Sequence, residues 1–271
     1  VKTNTSFIDD FYSSYGYYFG DITVDPKNQE RIYITGVPLL FSDNGGKTFQ
    51  SIDGDNVHSD HHVVWINPNN PNHLVNGNDG GLNITYDNGK SWQLCNSIPV
   101  GQFYAVNVDE QEPYNIYGGL QDNGVWVGAS NYSASIGWQQ EGKYPYARLM
   151  GGDGMQIQID KRNPNIVFAG YQYGSYYRIN GGDESKSKFI APKAKKGDKP
   201  YRYNWQSPIL LSSHNQDILY LGSNFLHRSM NQGDTWTAIS PDLTQGGKQG
   251  NVAFGTLTTI SESPFEFGVL Y

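Results

Sequence analysis

The chain has 271 residues, with 19 Lys and Arg against 26 Asp and Glu and a net charge of −7, a balance that argues against nucleic acid as the main partner. Its single cysteine excludes an internal disulfide framework and any multi-cysteine metal site, and no apolar run approaches the roughly 20 residues of a membrane-crossing helix. With 32 Gly, 20 Tyr and 6 Trp, and no long apolar period of 3.6 residues, the composition predicts an all-β chain.

Residues 1–16 read as a lead-in rich in Ser and Tyr. A first blade is predicted over 17–52. Its inner strand starts near Tyr18, and its third strand, Leu39-Leu40-Phe41, runs into Ser42-x-Asn44-x-Gly46-x-Thr48-Phe49. A second blade is predicted over 61–96, where the run from Leu82 to Tyr86 leads into Thr85-x-Asp87-x-Gly89-x-Ser91-Trp92. The third, 102–140, lacks such an ending, and the fourth, 154–190, ends in a degenerate Asn180-Gly181-Gly182. A basic segment follows, with Lys186, Lys188, Lys193, Lys195, Lys196 and Lys199. It reads either as a solvated loop or as a patch for an anionic ligand. The fifth blade, 205–239, carries Ser229-x-Asn231-x-Gly233-x-Thr235-Trp236, and a partial sixth covers 255–271. The chain therefore reads as part of one β-propeller within a longer protein.

The three repeated endings fit the Asp-box frame S/T-x-D-x-G-x-S/T-W, with Asn in place of Asp in the first and third. In such a turn the Asp or Asn oxygen accepts bonds from backbone N–H groups, Gly takes the positive-φ position, and the aromatic residue packs beneath. A second repeated element is a turn leading into a strand that ends at glycine. The closing glycines, Gly36, Gly77, Gly118, Gly170 and Gly222, are spaced 41, 41, 52 and 52 residues apart. Periods of this size with short strands and turn residues predict propeller blades of four antiparallel strands.

In such a blade the Asp-boxes join the third and fourth strands and are scaffold. The opposite face collects the polar residues that the scaffold does not explain. It takes His58, Asp60, His61, His62, Asn78 and Asp79 from the second blade, and Gln102, Tyr104, Gln121, Asp122 and Asn123 from the third. The fourth adds Arg148, Asp153, Tyr171, Gln172 and Tyr173, and the fifth adds Arg202, Asn204, Trp205, Gln206 and Asn224. Carboxylates and amides bond hydroxyls while aromatic faces stack on sugar rings, so this mouth suits a glycan, and a polar peptide nearly as well. Asp60, Asp79, Asp122 and Asp153 are the candidate catalytic carboxylates, since glycoside hydrolysis needs a pair about 5–10 Å apart. In an extended strand His58, Asp60 and His62 would share one side, which could seat zinc. Loop capping explains the same residues, so no metal or cofactor is assigned.

The run His58-x-Asp60-His61-His62, Gly77-Asn78-Asp79-Gly80-Gly81, Gly118-Gly119-Leu120-Gln121-Asp122-Asn123-Gly124, Gly151-Gly152-Asp153-Gly154 and Asn204-Trp205-x-Ser207-Pro208 resembles the bacterial BNR/Asp-box propeller proteins, labelled glycosyl hydrolase-like or sortilin-like. That resemblance implies a many-bladed propeller, usually in a secreted protein, without a settled activity; it is the mouth that makes a polysaccharide the expected ligand. Xyloglucan-cleaving relatives place one catalytic Asp on each of two facing propellers, whereas sortilin-type relatives bind peptides without catalysis. A structural or assembly role is the third expectation.

Overall fold

A computed structural model of the chain describes residues 18–95, 100–133, 135–137, 145–181, 183–244, 246 and 255–271. The fold is all-β: five four-stranded antiparallel sheets, each a meander with its strands in sequence order, the blades of a β-propeller. The chain falls into two compact units, Val1–Val100 and Gly101–Tyr271.

The first unit holds two sheets. One is built from β1 (Ile22–Asp25), β2 (Asn28–Ile34), β3 (Leu40–Ser42) and β4 (Gln50–Ser51). Its neighbour is built from β5 (His61–Ile66), β6 (Leu74–Asn78), β7 (Gly81–Thr85) and β8 (Gln93–Cys95). Alternate residues of β6 and β7 are buried, as the period of two requires of a strand with one packed face. That face meets the first sheet in a core of Tyr33, Leu39, Phe41, Ile52, Val64, Ile66, Leu74 and Trp92.

In the second unit, β9 (Phe103–Val108), β10 (Asn115–Leu120), β11 (Gly124–Ala129) and β12 (Tyr146–Met150) form the third sheet. The fourth holds β13 (Gln158–Ile159), β14 (Ile166–Tyr171), β15 (Ser175–Asn180) and β16 (Asp183–Phe189). The fifth holds β17 (Ile209–Leu211), β18 (Leu219–Gly222), β19 (Leu226–Ser229) and β20 (Thr237–Ala238). Tyr117 and Val125 of the third sheet pack on Ile157, Val167 and Ile179. Phe168 and Tyr176 of the fourth pack on Ile209, Leu219 and Leu221 of the fifth.

Several boundaries differ from the sequence expectation. The inner strand of the first blade starts at Ile22, not near Tyr18. The third sheet takes its fourth strand from beyond residue 140, with Arg148 on it, so Arg148 belongs to an outermost strand and is exposed. The lead-in, 1–16, and residues 17, 96, 134, 138–140 and 182 of the expected blades lie outside the described residues. Residues 255–271 form no named strand, only a bridge between Glu262 and Leu270. They pack on the fifth sheet through Tyr220, whose hydroxyl donates to Glu262 at 2.9 Å, and His214, 2.8 Å from the Ser263 carbonyl oxygen.

The three box turns share one hydrogen-bond plan. Ser42, Thr85 and Ser229 each accept the backbone N–H four residues on, from Gly46 at 2.9 Å, Gly89 at 3.0 Å and Gly233 at 2.8 Å. Asn44, Asp87 and Asn231 accept the N–H of Thr48, Ser91 and Thr235 at 3.0, 2.9 and 2.9 Å. Each turn closes on two successive left-handed residues, Gly45–Gly46, Asn88–Gly89 and Gln232–Gly233.

The tryptophans do more than fill the space beneath their own turns. The Trp92 indole donates to the Ile52 carbonyl at 2.7 Å, and that of Trp236 to the Ile190 carbonyl. Ile52 and Ile190 stand just past the outer strand of the preceding sheet. A Cβ on Gly89 would lie 2.9 Å from the Ile52 side chain, and one on Gly233 2.7 Å from that of Ile190. The second and third boxes are therefore each a socket for an isoleucine of the preceding sheet. Trp92 is buried, whereas Trp236 is half-buried. Truncating Trp92 to Ala is expected to cost about 3–5 kcal/mol, Trp236→Ala less, and Trp92→Phe, which removes the N–H bond, about 1 kcal/mol. Denaturant unfolding followed by circular dichroism measures all three.

Asp87 differs from its two Asn counterparts in carrying charge. Bonds from the Ser91 hydroxyl and N–H and from the Thr85 hydroxyl lower its pKa from 3.8 to about 2. A depressed carboxyl contributes stability above its unfolded pKa that is lost as pH falls through the folded one. Thermal unfolding between pH 4 and 2 should thus be less acid-sensitive in Asp87→Asn, which retains a turn like those at Asn44 and Asn231. Equal acid sensitivity would remove Asp87 from that account.

Candidate functional site

The candidate residues cluster where the hairpin between second and third strands of one sheet meets the segment leading into the next sheet. In the first unit, Asp60 N–H donates to the Val37 carbonyl at 3.1 Å and His61 N–H to that of Gly36 at 2.8 Å. Asp79 N–H reaches the Asp60 carbonyl at 3.3 Å. Asp60 and Asp79 thus share one end of the second sheet, and the Thr85–Trp92 turn leaves its other end. Gly80 is required here, since a Cβ would fall 2.5 Å from that of His58.

The histidines are not arranged as a ligand set. Asp60 has φ of 63°, so the segment from His58 to His62 is not extended and the expected shared side does not form. His61 is fully buried. The Asn76 amide donates to its Nδ1 at 2.8 Å, which puts the imidazole proton on Nε2, 3.8 Å from the Asp53 carboxylate. His62 Nε2 lies 2.7 Å from Asp79 Oδ1, with the rings of Tyr18 and Phe19 edge-on to it at 5.4 Å. Asn78 is turned inward and donates to Asn83 at 2.9 Å. Among the described residues no group of three His, Cys, Asp or Glu side chains could hold a metal ion.

In the second unit the Gly-rich motifs meet as backbone. Gly124 N–H donates to the Gly152 carbonyl at 2.8 Å and Gly154 N–H to that of Leu120 at 2.9 Å. The Asp153 carboxylate accepts the Asp122 N–H at 2.7 Å and the Gln172 amide. Asp153 is only 4% exposed. Asp122, held at φ of 59°, accepts the Gln121 amide at 3.2 Å.

Beside this seam runs an aromatic chain. Tyr104 donates to the Gln121 amide oxygen, and the Trp205 indole N–H donates to the Tyr104 hydroxyl at 3.0 Å. Burial raises the Tyr104 pKa above its ordinary value, against the Trp205 hydrogen bond, with Asp153 and Asp122 adding to the rise. The phenol therefore stays neutral and can donate. Tyr173 stands edge-on to Trp205 at 5.4 Å, its N–H donates to the Trp205 carbonyl at 3.1 Å, and it is 54% exposed. Tyr173 is one of the mouth residues expected from the sequence, and the Tyr173-Gly174 pair, both at positive φ, forms a turn that holds it out from the sheet.

Other candidates fall elsewhere. Exposed Gln102 and half-buried Asn123 border the same hairpin, Gln102 through a carbonyl bond to the Gln121 N–H at 2.9 Å and Asn123 through its amide to the Gln121 carbonyl at 3.0 Å. Tyr171 points into the sheet, its hydroxyl 3.1 Å from that of Tyr177. Arg202 is committed to Asp242 and Thr244, both at 2.8 Å. Bonds from Thr244 and Asn224, with those from Arg202, hold the Asp242 carboxyl well below the usual range. Asn204 donates to Thr256 at 2.9 Å, and Gln206 is half-buried beside Trp205.

If Asp153 is framework, Asp153→Ala strands the Asp122 N–H and the Gln172 amide and should cost about 1–3 kcal/mol. Thermal unfolding reads this out. Unchanged stability would make Asp153 a free carboxylate.

No family model matches the chain, and no curated protein does. Similar solved structures include an ancestral GH74 enzyme, at 18% identity and a TM-score of 0.37 over 86% of this chain and 32% of that one. The GH74 xyloglucanase from Xanthomonas campestris follows at 12% and 0.35, over 82% and 39%. YCF48 from Cyanidioschyzon merolae is 15% identical at 0.36, over 79% and 71%. The chain spans about a third of the length of the first of these, and no residue role follows from likeness this distant.

Proposed function

We propose that this chain is a glycan-binding, glycoside hydrolase-like β-propeller module of a secreted protein, and that binding rather than cleavage is the work of the residues described. The observation that carries this reading is the Tyr173 ring, exposed yet fixed edge-on to Trp205, which is itself tied through Tyr104 to Gln121. A rigid aromatic face bordered by amides suits a sugar, stacking on its C–H face while the amides bond its hydroxyls. The neutral Tyr104 phenol keeps the platform in one arrangement.

Cleavage would require two carboxyl groups on opposite sides of the glycosidic bond. Asp153 supports the binding reading instead, because it is buried and its carboxylate is engaged by the Asp122 N–H. A peptide-binding module would offer an exposed strand edge or a basic anchor such as Arg148 or Arg202, and of these two Arg202 is occupied by Asp242.

A glycan array probed with the protein and with Tyr173→Ala tests the reading. The protein should retain at least one polysaccharide, and the variant should lose about tenfold in affinity, the worth of one aromatic contact. Retention of no glycan, or equal binding by the variant, would overturn it.

A further inference from the structure

The segment that leaves the fourth sheet and approaches the fifth carries the densest run of lysines in an acidic chain. It is anchored at both ends. Ile190 sits under Gly233 and accepts the Trp236 indole, while Tyr203 donates to the Pro192 carbonyl at 2.8 Å. Between these anchors Asp198 N–H closes a turn on the Lys195 carbonyl at 3.0 Å, with Gly197 at φ of 99°. The segment folds over a cleft of about 420 Å³ whose walls include Lys193, Lys195, Lys196, Tyr201 and Tyr203, with one acidic residue, Asp198, among them.

Lys193, Lys195, Lys196 and Lys199 are all exposed, and among the described residues none of them is in an ion pair. Lys193 rests over the Phe189 ring at 4.9 Å. The cations elsewhere in this unit are largely spent. Lys161 pairs with Glu110 at 2.8 Å, Lys188 with Asp234 at 2.7 Å and Arg202 with Asp242 at 2.8 Å, and Arg162 pairs with Asp217 at 2.7 Å. The cleft is also joined to the aromatic platform. Tyr203 packs so tightly on Gly174 that a Cβ there would lie 2.5 Å from its ring, and the next residue back is Tyr173. One hairpin therefore presents Tyr173 on its tip and carries the cleft wall on its flank.

We infer that the ligand is an anionic polysaccharide, with a sugar ring on Tyr173 and the carboxylate or sulfate groups of the adjoining sugars in the cleft lined by Lys193, Lys195 and Lys196, with exposed Lys199 adjoining it in sequence. This rests on the glycan-binding reading and names its substrate class. Lysine suits the task, since an ammonium on a flexible stem is a point charge that tolerates irregular spacing of anions along a polymer. A nucleic acid offers the same charge, and its binding is an outcome of the test below.

The test is binding, by isothermal titration, of polygalacturonate, its fully methyl-esterified form, dextran sulfate, a neutral β-glucan and a single-stranded oligonucleotide. The proteins are the parent, a Lys195→Gln/Lys196→Gln/Lys199→Gln variant and Tyr173→Ala, each at about 0.01 M and about 1 M salt, where the screening length falls from about 30 Å to about 3 Å. We expect polygalacturonate or dextran sulfate to bind at low salt, the preference between them identifying the anion. The methyl ester should bind at least tenfold more weakly than polygalacturonate if carboxylate is preferred, and the lysine variant should lose the anion-dependent part with its melting temperature unchanged. If the neutral glucan binds as well as the anionic polymers and only Tyr173→Ala weakens it, the anionic assignment fails and the platform reading stands. If the anionic polymers bind and only the lysine variant weakens them, the cleft stands and the platform reading fails. An oligonucleotide bound as tightly as either polymer, or no polymer bound at all, overturns the inference.

Discussion

The recurrent hydrogen bond between the hairpin of one blade and the segment that leads into the next is the constraint on which the rest depends. It joins Val37 to Asp60, Gly124 to Gly152, Tyr173 to Trp205 and Ser223 to Leu257. A four-stranded sheet of this kind has too little packed surface to persist alone, so its faces must be covered by neighbours. The hairpin bonds set the lateral register of successive sheets, and the apolar clusters between them can then interdigitate. In the second unit this closeness demands backbone without side chains. A Cβ on Gly119 would lie 2.2 Å from the Met155 carbonyl oxygen, and one on Gly154 2.2 Å from that of Gly124.

The polar residues that stand out in the sequence stand out because they sit on these seams. Asp153 accepts a backbone N–H across one seam, Asp79 donates its own N–H across another segment of chain, and Arg202 ties the fifth sheet to Asp242. Carboxylates in such positions satisfy turn donors that would otherwise be buried without partners. Tyr173 differs from these in being pushed outward by its turn and left exposed. Chemistry and framework are interleaved along the same hairpins, with burial separating them.

The repeat was legible because it is local. Glycine spacing, Asx turns such as Asp25 with the Lys27 N–H at 2.9 Å, and the three boxes each involve neighbours in sequence, where spacing determines geometry. The partner of Trp92 was not legible, because Ile52 lies 40 residues away and no short-range pattern names it. Arg148 was misplaced for a related reason: the third sheet reaches its outer strand through a long connection rather than a box, and nothing in the composition announces the return. Of the candidate residues, Tyr104, Gln121, Asp122, Asp153, Gln172 and Trp205 lie along one run of hydrogen bonds. Their roles were not legible, because a sequence does not distinguish an aspartate that faces solvent from one that caps a backbone N–H.

The isoleucine that follows an outer strand, and the glycine and tryptophan that receive it, make the contact between the first two sheets and between the last two polar in the directional sense. One side of a blade offers a knob and the other a hole. Such an interface is head-to-tail rather than self-complementary. A repeat bearing both halves can be inserted, duplicated or removed without creating an unmatched surface on its neighbours, since each copy brings one knob and one hole. Gene duplication can thus change the number of such blades one step at a time, and the socket, not the hairpin chemistry above it, is what keeps each step foldable.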